Sequence, residues 1–354
     1  MVSMDFFTDW EGPWVTTDFA LEISEVLGSK AFFERLSQYD DYLYFVERRK
    51  GYNAGDTLKL LAPFICVMGL DSKKLKALAE NVRFVRDADA AMKILLRKYK
   101  PVVISTSYDQ FLKTSAGKIG IQDRLHGTRM DVDRLSEYFD DRDREVASSL
   151  IEKISKLPEI KVDVENRTVN ESATRTIDFL NDLFWGNSDF SKKIRRVMGE
   201  VVVIGGRKKL ETLLAYEPKE RIIAIGDSIS DFEMLEWVRK RGLAVSFNGN
   251  EYALMNSSLA VISNSAFSEA AVVDAYLANG FDGLKEFLKL FEDKKWDELK
   301  DVVDEEIVEG LKCSETEYYL LEGSVGSDDK VDPKIVEKSK RMRKLVRGDA
   351  GKLG

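Results

Sequence analysis

At 354 residues, 44% of them hydrophobic and 33% charged, the chain has room for about two domains around a large buried core. Its 54 basic against 62 acidic residues leave a net charge of −8, which argues against a nucleic-acid surface. The only cysteines, Cys66 and Cys313, are far apart and form no redox motif. The apolar run from Leu60 to Leu70 is too short to cross a bilayer, and no basic-then-apolar leader opens the chain, so a cytoplasmic protein without a disulfide framework or membrane span is expected.

The first element is the run Met4-Asp5-Phe6-Phe7-Thr8, which stops at Asp9; Glu11 follows two residues on, and Gly12-Pro13 turns the chain away. This pattern predicts a strand that delivers an acid to a loop. In an open parallel α/β sheet, ligands bind beyond the carboxyl ends of the strands, where Asp9 and Glu11 would sit; a turn-capping role for Asp9 is the plainer alternative. From Gly12-Pro13 to about Tyr99 the apolar spacing is helical, with stripes such as Phe32, Phe33, Leu36 and Tyr39, then Leu58, Leu61, Phe64, Ile65 and Met68. These predict a helical bundle inserted between two strands of the core, placed to close over a site as a lid.

Val102-Val103-Ile104 then runs into Ser105-Thr106-Ser107, a strand end that offers hydroxyls and free backbone N–H groups to an oxyanion, or else an ordinary helix N-cap. A second insert, charged then helical, fills 131–197 and shows no catalytic spacing. The core resumes at Val201-Val202-Val203-Ile204, followed by Gly205-Gly206-Arg207-Lys208-Lys209 and a helix. Ile222 to Ile225 predicts another buried strand, ending in Gly226-Asp227-Ser228-Ile229-Ser230-Asp231. Two acids four apart on the loop and first turn after a strand suit a hard cation with oxygen ligands. Leu243 to Phe247 and Leu259 to Ile262 complete the expected sheet, and the chain is helical again beyond Ser268. Gly323 to Pro333 reads as a linker. The basic segment from Lys334 to Arg347 reads as a frayed, solvated tail, with an amphipathic patch for an acidic membrane or partner as the alternative.

Taken in order, the Asp-x-acid strand, the strand ending in Ser, the lysine before a helix and the Gly-Asp-x-x-x-Asp strand end resemble the haloacid dehalogenase (HAD) superfamily. The helical insert after the first strand, and Ser105 followed by Tyr108, are similar to its phosphoserine-phosphatase branch. The motifs cover residues 4–15, 97–128 and 201–264. The chain is also similar to an archaeal group of HAD proteins accessory to energy-converting hydrogenases. The resemblance implies an α/β fold with a Rossmann-like parallel core built from 1–15, 97–130 and 198–268. A helical cap over 16–96, the second insert over 131–197, a helical C-terminal extension over 269–322, and a linker with a mobile tail over 323–354 would complete the chain.

The resemblance makes Asp9 the nucleophile and Glu11 the general acid and base, one methylene longer than the usual aspartate. Ser105 would bind the transferring phosphoryl group beside Thr106 and Ser107, and Lys209, or else Lys208, would neutralise charge on Asp9 and phosphate. Mg²⁺ would be held by Asp9, the Glu11 backbone carbonyl, Asp227 and Asp231. Asp18, Arg48 and Arg49 are candidate substrate contacts, or else solvated surface charge. The lone histidine, His126, reads as structural. The implied function is a Mg²⁺-dependent phosphatase or phosphotransferase acting on a small phosphorylated metabolite, with an oligomer left open. The alternative is an accessory subunit that keeps the fold as a scaffold.

Overall fold

The computed structural model describes residues 4–53, 55–321, 331–348 and 351. The chain is α/β. Strands β1 (Met4–Thr8), β2 (Val102–Tyr108) and β3 (Leu125–Thr128) come first. A two-residue-per-strand hairpin, β4 (Val162–Asp163) with β5 (Thr168–Val169), stands apart. The sheet continues with β6 (Arg221–Gly226), β7 (Leu243–Phe247), β8 (Leu259–Ser263) and β9 (Thr316–Leu320). Its seven strands lie in the order β3-β2-β1-β6-β7-β8-β9, parallel except for β9, which runs antiparallel to β8.

The sheet is apolar on both faces, as a covered parallel sheet must be. Side chains alternate: Phe6, Val103, Ile223 and Val245 enter one core, and Phe7, Ile104, Ala224 and Ala244 the other. The helices Arg207–Leu214 and Phe232–Arg239 bury Leu213, Met234, Leu235 and Val238 on the second face. The long helix Phe267–Glu292, broken at Gly280 with φ +66°, covers the first.

The register fixes where the strands end. Thr8 is level with Ile225 on β6 and with Val103 on β2, so Asp9, Ser105 and Asp227 emerge together at the carboxyl edge. The chain runs outward from β1 to β3, returns to β6 and runs outward the other way. Asp9 and Asp227 therefore flank the point where strand order reverses, the usual ligand crevice of such sheets.

Two segments leave this edge. The first carries the helices Phe19–Val26, Lys30–Asp41, Thr57–Val67 and Ser72–Ala79, started by caps at Asp18, Ser29 and Asp71. The following helix, Ala88–Leu96, packs instead on Phe267–Glu292. The second segment docks on the first: Tyr39 Oη donates to Asn181 Oδ1 at 2.5 Å and accepts from Trp185 Nε1 at 2.9 Å, while Arg35 Nε donates to the Leu157 carbonyl at 2.8 Å. Each segment is tied where it leaves the core by antiparallel bridges, Val15 with Phe84 and Arg129 with Val202.

Four features differ from the expectations. Val201 to Ile204 forms no strand, only the bridge at Val202, whose side chain is exposed. The second insert carries the β4–β5 hairpin as well as helices. β9 joins the sheet from a segment expected to be helical. Finally, residues 333–347 are not a frayed tail but a helix, Pro333–Arg347, capped by Asp332. It is anchored by Ser339 Oγ on the Gly249 carbonyl at 2.7 Å, and Lys338 pairs with Glu317 on β9. Most of the expected linker lies outside the described residues.

Candidate active site

The loop after β1 is set by two tryptophans. Trp10 Nε1 donates to Ser115 Oγ at 2.7 Å, and Trp14 Nε1 donates to Thr8 Oγ1 at 2.8 Å. Gly12 turns at φ +108°, a conformation suited to glycine. Asp9 is thereby buried at the strand end, its backbone N–H bonded to the Ile225 carbonyl at 2.8 Å and its Oδ1 accepting from the Trp10 N–H at 2.7 Å.

Lys209, on the first turn of helix Arg207–Leu214, is fully buried. Its Nζ lies 2.9 Å from Asp9 Oδ2 and 2.6 Å from Asp231 Oδ1. Lys208 faces outward and pairs with Glu211, so of the two lysines it is Lys209 that meets Asp9. Burial works against the Lys209 ammonium, but the Asp231 and Asp9 carboxylates more than offset it and hold it above the usual lysine range. Burial, with Asp231 beside it, pushes Asp9 up to about 7 against the pull of Lys209.

Asp231 is a structural hub. Its Oδ2 accepts from the backbone N–H groups of Asp227 at 3.0 Å and Ser228 at 3.1 Å, holding the β6 loop. Asp227 receives two guanidinium groups from the C-terminal helix. Arg343 Nη1 contacts its Oδ2 and bonds its carbonyl at 3.0 Å, and Arg347 Nη1 reaches the same Oδ2 at 3.1 Å. Carboxylate oxygens of Asp9, Asp227 and Asp231 lie within 4.8 Å of one another. An all-oxygen set of this kind fits a hard divalent cation, and Gly12, whose added Cβ would overlap Asp227, keeps the approach open.

A cavity of about 150 Å³ opens between this edge and the first insert. Asp9, Glu11, Asp18, Ser105, Thr106 and Ser107 line it from the core side, and Asp40, Asp41, Thr57 and Leu58 roof it. Glu11 Oε1 accepts from the Phe19 N–H at 3.3 Å. Burial, with Asp18 nearby, pushes Glu11 up to about 8 against the Ser107 hydroxyl and Arg347. Asp18 caps helix Phe19–Val26 through the Leu21 N–H at 3.0 Å; burial raises it despite Arg347. Two buried donor-bearing atoms at the cavity, Thr106 Oγ1 and Arg347 Nε, have no hydrogen-bond partner among the described residues.

Arg48 and Arg49 are elsewhere. They line a separate depression with Tyr44, Tyr52 and Arg167, and Arg49 stacks on Trp185 at 4.0 Å. His126 sits with its Nε2 2.7 Å from the Tyr216 hydroxyl, outside the cavity lining. Sequence reasoning missed Arg343, Arg347, Asp40 and Asp41. Asp332-Pro333 with Gly348 is a readable helix start and stop, but the target of arginines spaced four apart is a tertiary fact.

The fold and site define an α/β protein with a buried carboxylate–lysine centre at the carboxyl edge of its sheet, roofed by inserted helices. At 36% sequence identity over 99% of both chains and a TM-score of 0.79, it is similar to the solved structure of gene product AF1437 from Archaeoglobus fulgidus, and the chain belongs to the same family as that protein. Two phosphoserine phosphatase structures, one a phospho-aspartyl intermediate analogue and one an apo form, are also similar to 73% of this chain and to 93% and 92% of theirs. Both are 14% identical, with TM-scores of 0.42 and 0.43. No family model matches the chain, and no curated protein does. Among the described residues no helix is long and apolar enough to cross a membrane.

Proposed function

We propose that the chain is a HAD-type phosphohydrolase or phosphotransferase, of the phosphoserine-phosphatase-like branch, that acts on a small phosphorylated metabolite through an aspartyl-phosphate intermediate. The reading is carried by one observation: the Lys209 ammonium lies between Asp9 and Asp231 at the carboxyl edge, with Glu11 two residues beyond Asp9. A cation fixed on a buried carboxylate favours its charged, nucleophilic form against the burial that raises it, and offsets the charge that develops on the phosphoryl oxygens.

In this mechanism an Asp9 carboxylate oxygen attacks phosphorus as the bond to the leaving oxygen breaks, and Glu11 gives that oxygen its proton. Glu11, now a carboxylate, takes a proton from water as the water displaces phosphate from Asp9. The Thr106 hydroxyl, unpartnered among the described residues, would hold phosphoryl oxygens with Ser105 and Ser107, and the first insert would exclude water. Asp9, Asp227, the Glu11 carbonyl and, less directly, Asp231 would hold Mg²⁺, which when bound supplies charge to the phosphoryl oxygens.

A panel of phosphorylated small molecules, assayed for phosphate release with Mg²⁺, tests the reading. Hydrolysis of at least one class, lost in Asp9→Asn, is expected. No release from any compound, with a stable partner protein recovered instead, would establish the accessory role.

A further inference from the structure

The C-terminal helix brings two cations to the acid whose carboxylate a metal would need. Arg343 and Arg347 both engage Asp227 Oδ2, and both are buried, with side chains 4% and 6% exposed. The contact is built into the fold: Ser339 fixes the helix on Gly249, and Lys340 pairs with Glu251 at 2.5 Å. Asp9, Asp227 and Asp231 face Lys209, Arg343 and Arg347, and Glu11 and Asp18 stand near Arg347 as well. Both guanidinium groups meet the one Asp227 Oδ2, so a divalent cation on that oxygen would be pressed against them unless a phosphoryl dianion arrived with it. Arg347 also holds a donor in reserve, since among the described residues its Nε is buried without a partner while the side chain lines the cavity beside Ser105, Thr106 and Ser107.

We infer that Arg343 and Arg347 exchange partners during the working cycle. They hold Asp227 while the site is empty, and they turn to the oxygens of a phosphoryl group once a divalent cation takes Asp227. This rests on the phosphoryl-transfer reading, and it adds a positioning role for a helix outside the motif-bearing core. Two ligands that each relieve the other's charge bind with reciprocal coupling. An arginine that must leave before the cation can enter lowers the cation's apparent affinity by the fraction of time that Asp227 is free.

Calorimetry with Mn²⁺ and inorganic phosphate as probes tests the exchange without any turnover. In the full chain, Arg343→Met with Arg347→Met should tighten Mn²⁺ binding measured alone by roughly tenfold or more, and should weaken phosphate binding by a similar factor. Should that variant fail to fold, Asp227→Asn offers a second route: with the arginines' resting partner weakened, phosphate should bind more tightly in metal-free buffer than it does to the unaltered chain. Mn²⁺ affinity unchanged by loss of the arginines, or phosphate binding unimproved in Asp227→Asn, would overturn the exchange. Neither readout depends on hydrolysis, so a chain that behaves as expected here yet cleaves no substrate would sink the phosphatase reading and leave this one standing.

Discussion

Gly12 lies so close to Asp227 that a Cβ at position 12 would overlap the Asp227 carboxylate. The backbone there also has φ +108°, which side-chain-bearing residues rarely adopt. Gly12→Ala is therefore expected to cost about 1–3 kcal/mol in chemical denaturation, and to lower cation affinity as well, because Asp227 must move. A variant with wild-type stability would show that the loop relaxes freely and that the close approach is incidental.

The two neighbouring lysines should behave as opposites. Lys209→Met removes the counter-charge of two buried carboxylates, a change that typically costs about 3–5 kcal/mol. Lys208→Met touches only an exposed pair with Glu211 and should stay within about 0.5 kcal/mol of the parent. Equal effects in urea denaturation would contradict the asymmetry of the site.

Asp40 gives a pH signature. Burial, with Asp41 beside it, raises its carboxyl to about 8, although Tyr52 and Thr57 donate to it; the Tyr52 hydroxyl is 2.6 Å away. A raised folded-state pKa means that the native chain holds a proton that the unfolded chain has released above about pH 4. Stability from this group accordingly falls as pH rises from about 4 and levels off above about 8. Asp40→Asn keeps an acceptor for Tyr52 without the ionisation. It should melt roughly 3 °C or more above the parent at pH 8, with the gap closing toward pH 4. A gap that is constant with pH would place the ionised form in the native state throughout.

The chemical roles separate by magnitude. Glu11→Gln should slow turnover about 10²- to 10⁴-fold, the usual worth of one acid–base group, while leaving phosphate binding nearly intact. Asp9→Asn should abolish turnover, since an amide cannot serve as the nucleophile. Mass spectrometry of trapped intermediate should find the phosphoryl adduct on Asp9; label on another carboxylate would reassign the nucleophile.

Asp227→Asn and Asp231→Asn should part company in a different way. Among the described residues the Asp227 carboxylate accepts from the two arginines of the C-terminal helix and holds no backbone of its own loop, so its loss should fall chiefly on cation binding. Asp231 holds both Lys209 and the backbone of its own loop, so its loss should be read in stability as well, by about 1–3 kcal/mol. Matching losses of cation affinity at unchanged stability would mean that Asp231 is no structural hub.

Much of the centre is legible in the chain because each piece is local. A buried strand that ends in an acid says where it ends, and the strands carrying Asp9, Ser105 and Asp227 lie where the apolar runs predict. Two adjacent lysines left the choice between Lys209 and Lys208 open, and the helix turns Lys209 inward. What stayed hidden depends on distant partners. Val201 to Ile204 has the composition of a strand but among the described residues pairs through Val202 with Arg129 alone. Thr316 to Leu320 mixes polar and aromatic residues and becomes a strand because β8 offers an edge. Arg48 and Arg49 carry the charge expected of substrate contacts, yet the helical insert turns them away from the cavity, and the cations that do reach it arrive from some 300 residues farther on.

The two inserted segments give the roof an unusual suspension. Four chain crossings join it to the core, and they are laced in pairs: Thr16 N–H to the Arg83 carbonyl at 2.8 Å and Val85 N–H to the Trp14 carbonyl at 2.9 Å on one side, Arg129 and Val202 exchanging bonds of 3.0 and 3.1 Å on the other. Its halves are locked through Tyr39, Asn181 and Trp185, and the first insert also rests on the core, with Phe19 stacked on Phe111 at 4.6 Å and the Tyr108 hydroxyl donating to the Leu58 carbonyl at 2.7 Å. The roof is therefore tied down as one piece, and a displacement of either insert would be carried to the other.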